Sequence, residues 1–198
     1  MKSVVHPRGM LILTTACFVA MALAVLLAGA HPADAAARDS LLRLNSPLVT
    51  ALMRVITLLG HAWVLAPATA LLVLVFAEAR ARWWVWIGMM LLAPIAESAF
   101  KALIGRPRPF DASFGFPSGH ATAAAAFFGA VIYLAGSFSP PTRTWVRVLA
   151  GLAIVLVATS RVMLRAHWPS DVIGGVALGL ALASAAALLG RPPRPIHA

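Results

Sequence analysis

Residues 116–138 read FPSGHATAAAAFFGAVIYLAGSF, and from Ser118 to Phe138 no residue carries a charge at neutral pH with histidine neutral. A run of that length is what a helix needs to cross a bilayer core of about 30 Å. Its beginning is of another kind: serine, glycine and histidine stand at the mouth of an alanine-rich helix. Ser118 is a good N-cap, and a helix start offers unpaired N–H groups and a partial positive charge. Gly119 lets a ligand approach the backbone closely. The stretch predicts a membrane helix whose first turn suits an anion, with His120 beside it.

Outward from this segment the same pattern recurs. The chain has 198 residues, of which 61% are hydrophobic and 11% charged, and a mean hydropathy of +0.89. Those values exclude an ordinary soluble domain. Apolar trunks fall at about 10–30, 55–77, 83–104, 118–138, 144–160 and 172–190. They predict an all-α polytopic membrane protein, a six-transmembrane-helix bundle. The length leaves no room for a second domain, so residues 1–198 form one integral membrane unit, with 1–9 and 191–198 as cytoplasmic flanks. In the fifth trunk Arg147 and Arg161 bracket only thirteen uncharged residues, so it spans by letting Arg147 snorkel to the interface. Trp83, Trp84, Trp86, Trp145 and Trp168 fall near trunk ends, as an interfacial aromatic belt requires. Between the first two trunks, Ser46-Pro47 reads as an N-cap and first-turn proline for a helix on the membrane surface.

The N-terminal run is followed by AGAHPADAA, which has the small-residue spacing of a signal-peptidase site. The twenty-one uncharged residues of 10–30 exceed a signal core of about 7–15 residues, which favours a retained span. The net charge of +10 is spread among the trunks with no basic strip, which disfavours nucleic acid as a partner. Lys and Arg divide evenly between the two faces. Setting aside Lys101, Arg108 and Arg161, which have a chemical explanation, places the N-terminus, the turns EARAR (78–82) and SPPTR (139–143) and the C-terminal tail in the cytoplasm. The single cysteine, Cys17, allows neither an intramolecular disulfide nor a thiolate zinc cluster.

Six helices bring 101–120 and 160–171 to one face, where Lys101, Arg108, Ser118, Gly119, His120, Arg161, His167 and Asp171 converge. Charges at membrane depth cost about 2.5–3.5 kcal/mol each, so their presence points to function. Glu97, Asp111 and Asp171 are too few to neutralise Lys101, Arg106, Arg108, Arg161 and Arg165. The missing negative charge fits a phosphate on the substrate. A helix starting near Pro169 puts Asp171 in its first turn, where it can fix the tautomer of His167 and leave the other ring nitrogen free to attack.

Three stretches complete a pattern: Lys101 and Arg108-Pro109 in KALIGRPRP, PSGH at 117–120, and Ser160-Arg161, His167 and Asp171 in SRVMLRAHWPSD. With these, in this order and spacing, the chain resembles the type 2 phosphatidic acid phosphatases, which share an active site with the vanadium-dependent haloperoxidases. The resemblance implies that His167 is the nucleophile, Asp171 orients it and His120 protonates the leaving oxygen. Lys101, Arg108, Ser118, Gly119 and Arg161 would hold the phosphoryl oxygens. It implies neither metal nor cofactor, and a phosphorylated lipid in the bilayer as the partner: a polyprenyl diphosphate first, then phosphatidic acid, phosphatidylglycerophosphate or a lipid A phosphate. The compact size fits a bacterial-type enzyme of the inner membrane, and the charge distribution above puts the active site on the periplasmic or exterior face.

Other readings meet obstacles. Haloperoxidase relatives are soluble and larger, and a transporter or scaffold leaves the motif spacing unexplained. His6, His31, His61 and His197 read as structural or incidental. Arg106 and Arg165 divide evenly between headgroup contact and interfacial anchoring, and Asp111 reads as a turn residue. Glu97, four residues before Lys101, is its ion-pair partner. The glycine and alanine run GGVALGLALASAAA predicts close helix packing.

Overall fold

The computed structural model describes residues 6–29, 32–110 and 112–190. Its helices are α1 (Pro7–Ala28), α2 (Pro32–Leu42), α3 (Pro47–Ile56), α4 (Ala62–Val75), α5 (Ala77–Ala81), α6 (Trp83–Ile104), α7 (Gly119–Leu134), α8 (Pro140–Met163) and α9 (Pro169–Leu189), with short 3-10 turns at Thr57–Gly60 and Ala135–Ser137. Five are long and apolar enough to cross a membrane: α1, α6, α7 with its 3-10 extension, α8 and α9. The helix α2 and the segment Pro47–Gly60 form a pair bent by 112° that passes the same test when joined. The chain is thus an all-α, multi-pass membrane protein, as its hydropathy predicts.

The trunk expected at 55–77 is broken. Residues Thr57–Gly60 make a 3-10 turn, His61 adopts extended backbone, and α4 starts beyond it with the His61 side chain accepting from the Trp63 amide. At 14 residues α4 is about 21 Å long, short of a bilayer core. Gly60 explains the break. A Cβ there would lie 2.8 Å from the His120 carbonyl oxygen, so the turn is pressed against the start of α7. Before it, Ser46 caps α3 as expected, its hydroxyl accepting from the Val49 amide at 3.2 Å.

The fifth span begins at Pro140, within the SPPTR segment. Arg147 donates from Nε to the Ile132 carbonyl at 3.2 Å, satisfying the C-terminal turn of α7. At that end of the bundle Phe76 packs on Phe138, with ring centroids 5.3 Å apart, and Arg82 donates to the Leu189 carbonyl. The opposite end gathers the C-termini of α6 and α8 with the N-termini of α7 and α9. Residues 191–198, with the tail and His197, lie outside the described residues, as do His31 and Asp111. Trp83, Trp84 and Trp145 are exposed, in keeping with a belt. Trp86 is not a belt residue. Trp86 is buried in the core, and Trp168 covers arginines on the loop before α9.

The α7–α9 seam sets the site. A Cβ at Gly175 would lie 2.6 Å from the Ser118 carbonyl oxygen, and one at Gly179 would lie 2.7 Å from the Ala125 Cβ. Small residues let the backbones approach this closely. Phe116, wholly buried, fills the space under Gly174 and stacks on Phe18 of α1 with centroids 5.8 Å apart.

Candidate active site

Each polar element of the site is placed by a local rule. The end of α8 is a Schellman turn: Ala166 N–H and His167 N–H both donate to the Arg161 carbonyl, at 3.0 and 3.2 Å, and Arg165 N–H donates to the Val162 carbonyl. Arg165 sits at φ 59°, the left-handed position where glycine is usual. This turn folds the chain back so that Arg161 and His167 share one cavity. Pro169 then opens α9, and Asp171 in its first turn accepts from the Trp168 amide through Oδ2 at 3.0 Å. The same Oδ2 lies 3.5 Å from Nδ1 of His167. That separation is long for a hydrogen bond, and such pairs commonly tighten once substrate is bound.

The loop from α6 to α7 is held by an antiparallel bridge between Pro107 and Phe114 and by the Gly115 amide on the Arg106 carbonyl at 2.7 Å. It delivers Ser118, whose amide donates to the Asp171 carbonyl at 2.9 Å. The Ser118 side chain makes no cap bond, and its buried Oγ has no hydrogen-bond partner among the described residues. Nε of Arg161, a residue of the cavity wall, is in the same condition. Buried polar atoms without partners are uncommon, and these two donors stand at the end of the bundle where the cationic side chains converge.

That cavity has a volume of about 700 Å³. Its polar end is lined by Lys101, Arg108, Gly119, His120, Arg161 and His167. From there it continues between α4 and α6 along Leu65, Ala66, Ala70, Ile87, Met90 and Leu91. All eight residues singled out from the sequence lie at this end of the bundle, Ser118 and Asp171 behind the wall. Lys101 pairs with Glu97, as its spacing predicts. Arg161 donates to Oγ1 of Thr57 at 2.9 Å, and Arg108 to the Phe114 carbonyl at 3.3 Å. Burial holds His167 below its ordinary value of 6.5; Asp171 opposes that shift, and Arg161 and Arg108 reinforce it. The imidazole is therefore neutral at pH 7, the form that can attack. Among the described residues no cluster of His, Cys, Asp or Glu could hold a metal ion.

Two residues differ from their sequence reading, Arg106 and Asp34, while a third, His61, has the structural role that reading allowed. It caps α4 on the cavity wall, its ring centroid 5.6 Å from that of His120. Arg106 contacts no headgroup space and anchors at no interface. Its side chain is 3% exposed and pairs with Asp34 at 2.6 Å and Asp171 at 2.9 Å. Asp34, absent from the sequence inventory of acids near this face, is buried there.

These features define an integral multi-pass membrane protein with a cavity lined by histidine and arginine side chains at one end of its bundle. The chain belongs to the PAP2 superfamily of lipid phosphatases, whose sequence profile matches residues 82–191, and it is a hydrolase, a membrane phosphatase. Phosphatidylglycerophosphatase B of Bacillus subtilis is 31% identical over 83% of this chain and 87% of its own. An undecaprenyl-diphosphatase of Sulfolobus acidocaldarius is 32% identical over 61% and 60%. The crystal structure of a transmembrane PAP2-type phosphatidylglycerolphosphate phosphatase from Bacillus subtilis superposes with a TM-score of 0.80 at 27% identity, covering 90% of this chain and 94% of that one.

Proposed function

We propose that this protein removes phosphate from a lipid phosphomonoester or diphosphate through a phosphohistidine on His167. The observation that carries the proposal is the cavity itself: a cationic, two-histidine end continuous with an apolar arm between α4 and α6. A phosphate fits the first part and a lipid tail the second. A phosphatidylglycerophosphatase matches over 83% of this chain, so phosphatidylglycerophosphate heads the substrates, ahead of the polyprenyl diphosphate the sequence favours.

Phosphoryl transfer needs positioning and charge stabilisation more than covalent help from the protein. Lys101, Arg108, Arg161, the Ser118 hydroxyl and the first amides of α7 hold the phosphoryl oxygens. With Nδ1 turned to Asp171, Nε2 of His167 attacks phosphorus as the bond to the lipid oxygen breaks, and His120 gives that oxygen its proton. Water then attacks the phosphohistidine, His120 takes the proton from it, and inorganic phosphate leaves with His167 restored. The site opens to the periplasm or cell exterior of a bacterial inner membrane.

The test is phosphate release by purified, detergent-solubilised protein from phosphatidylglycerophosphate, phosphatidic acid, undecaprenyl diphosphate and a lipid A phosphate, with and without EDTA. Release from at least one, insensitive to EDTA, is expected, with an acid-labile adduct that His167→Ala lacks. Activity lost to EDTA, or an adduct that persists in His167→Ala, would overturn the mechanism. A cytoplasm-dependent reporter fused after Ala198 should be active, and a periplasmic signal would invert the orientation.

A further inference from the structure

Behind His167 runs a line of buried charges: Asp171, 0% exposed, then Arg106, then Asp34. Arg106 donates from Nη1 to Oδ1 of Asp171 at 2.9 Å and to Oγ of Ser170 at 2.5 Å, and from Nη2 to Oδ2 of Asp34 at 2.6 Å. Asp34 also accepts from Ser170, through Oδ1 from the amide at 2.8 Å and through Oδ2 from the hydroxyl at 2.5 Å. The Trp168 ring lies 5.4 Å from the Arg106 guanidinium carbon, closing the group from above. Asp34 comes from α2, outside the residues 82–191 that match the superfamily.

We propose that Asp34 and Arg106 are positioning residues that clamp Asp171 and keep one net negative charge beside the His167 imidazole. The inference rests on His167 being the nucleophile.

Stability is a weak reason to bury such a line, because desolvation offsets most of what a buried ion pair contributes. Charge and geometry supply a better one. Both oxygens of Asp171 are engaged, Oδ1 by Arg106 and Oδ2 by the Trp168 amide, so the carboxylate cannot rotate away from His167. A lone Arg106 would neutralise Asp171. Sharing Arg106 between two carboxylates leaves a net charge of one negative unit, which supports the positive charge that His167 takes on as it bonds to phosphorus. The other charged and titratable groups that line the cavity are Arg161 from α8, Arg108 from the α6–α7 loop, Lys101 with its partner Glu97 from α6, His120 from α7 and His61 before α4, so the balance on that side is cationic. The pair behind Asp171 is the counterweight to them.

The experiment measures kcat, KM and the pH profile of kcat/KM for phosphate release from dioctanoyl phosphatidic acid, using full-length protein in detergent. Its variants are Asp34→Asn, Arg106→Gln, the double variant and Asp34→Glu. The substrate's own ionisation is common to all of them. The acid limb reports the free enzyme's base, His167. Asp34→Asn removes a negative charge, so the limb moves to lower pH by about one unit, and kcat falls about tenfold with KM within about twofold. Arg106→Gln removes a positive charge, and the limb moves up by a similar amount. The double variant restores the net charge and returns the limb to the wild-type position, while Asp34→Glu recovers activity. If Arg106→Gln cannot be purified, Arg106→Lys takes its place: the limb stays and kcat falls about fivefold or more, because one ammonium cannot fork between two carboxylates.

Limbs that do not move, or that move the same way in both single variants, would overturn the proposal and leave the pair as a tether for α2. So would wild-type kcat in Arg106→Lys. The two levels separate cleanly. Activity surviving in His167→Ala sinks the nucleophile assignment, whereas an inactive His167→Ala with unmoved limbs sinks only the roles given to Asp34 and Arg106.

Discussion

Gly175→Ala adds one methyl group at the α7–α9 seam, and the structure sets what it meets. The new carbon would lie 2.6 Å from the Ser118 carbonyl oxygen, 3.1 Å from the Ala121 Cβ and 3.2 Å from the Thr122 hydroxyl. Close carbon–oxygen contacts begin at about 3.3 Å, so the helices must part by roughly 0.7 Å. The Ser118 carbonyl cannot yield alone, because it accepts from the Thr122 amide at 2.9 Å and from the Thr122 hydroxyl at 3.0 Å. Replacing glycine in a helix gains about 1 kcal/mol in propensity, and overpacking costs about 1–3 kcal/mol. The net loss of stability is therefore small, a Tm lowered by a few degrees. Activity should suffer far more. Ser118 and Asp171 sit on opposite sides of this seam, and a shift near 1 Å between reacting groups costs on the order of 100-fold. The assay is phosphate release per folded protein alongside thermal unfolding in detergent. Gly151→Ala is the control, since a Cβ there meets nothing within 4 Å, and its activity should stay within about twofold of wild type. Full activity in Gly175→Ala would refute the claim that this contact aligns the site.

Thr57→Val removes the oxygen that holds Arg161 at 2.9 Å, and kcat/KM should fall about tenfold, as loss of a hydrogen bond to a charged group implies; an unchanged value would show that Arg161 needs no such support. Arg165→Gly replaces a residue at φ 59° with the one that adopts this conformation freely, so unfolding should rise by about 1 kcal/mol with activity retained. A lowered Tm would mean that the Arg165 contact with the Phe110 ring, 5.7 Å to its centroid, matters more than the backbone. Because His167 is held below its ordinary value of 6.5 mainly by burial, the unfolded chain takes up its proton first. Stability from this group is complete above that value and is lost as pH falls through it. Thermal unfolding followed from pH 7 to pH 5 should show a drop that is smaller in His167→Gln, and identical slopes would rule this source out.

What the sequence made legible follows from where its information is local. The helix Trp83–Ile104 has the limits its hydropathy predicts, and the start of α7 at Ser118-Gly119 is marked by residue types that suit a helix cap. The broken span at 57–61 was hidden because it contains Leu58 and Leu59 and is flanked by Val55, Ile56, Trp63 and Val64, so an average over the window stays apolar. Only contact with His120 shows why the chain turns there. Asp34 was hidden for a different reason. PADAAA is an ordinary helix start, with an acid in the first turn that the helix dipole alone would explain. Its partner lies seventy-two residues away in sequence, and no periodicity reports a pairing of that kind. Arg106 differed from Arg108 only by falling outside the motif, which says nothing about the direction of its side chain.

The division of labour inside the bundle follows from which segment supplies each contact. Residues 82–191, the part that matches the superfamily, carry all the groups proposed to meet phosphate. Yet several of the contacts that support those groups come from the chain before it. Thr57 holds Arg161, His61 stands beside His120, Asp34 braces Arg106 behind Asp171, and Phe18 supports Phe116 below the loop that carries Ser118. The apolar arm has one wall from α6, within the matched segment, and the other from α4, outside it. A phosphate looks the same on every lipid, so the motif residues cannot discriminate among lipids. Discrimination must arise where the substrates differ, in the tail and headgroup beyond the phosphate. On the proposed reading that contrast falls on Leu65, Ala66 and Ala70 of α4. Enlarging Ala66 or Ala70 should therefore reorder the lipid panel, changing KM for bulky tails while the acid limb of the pH profile and the phosphohistidine adduct stay as they are.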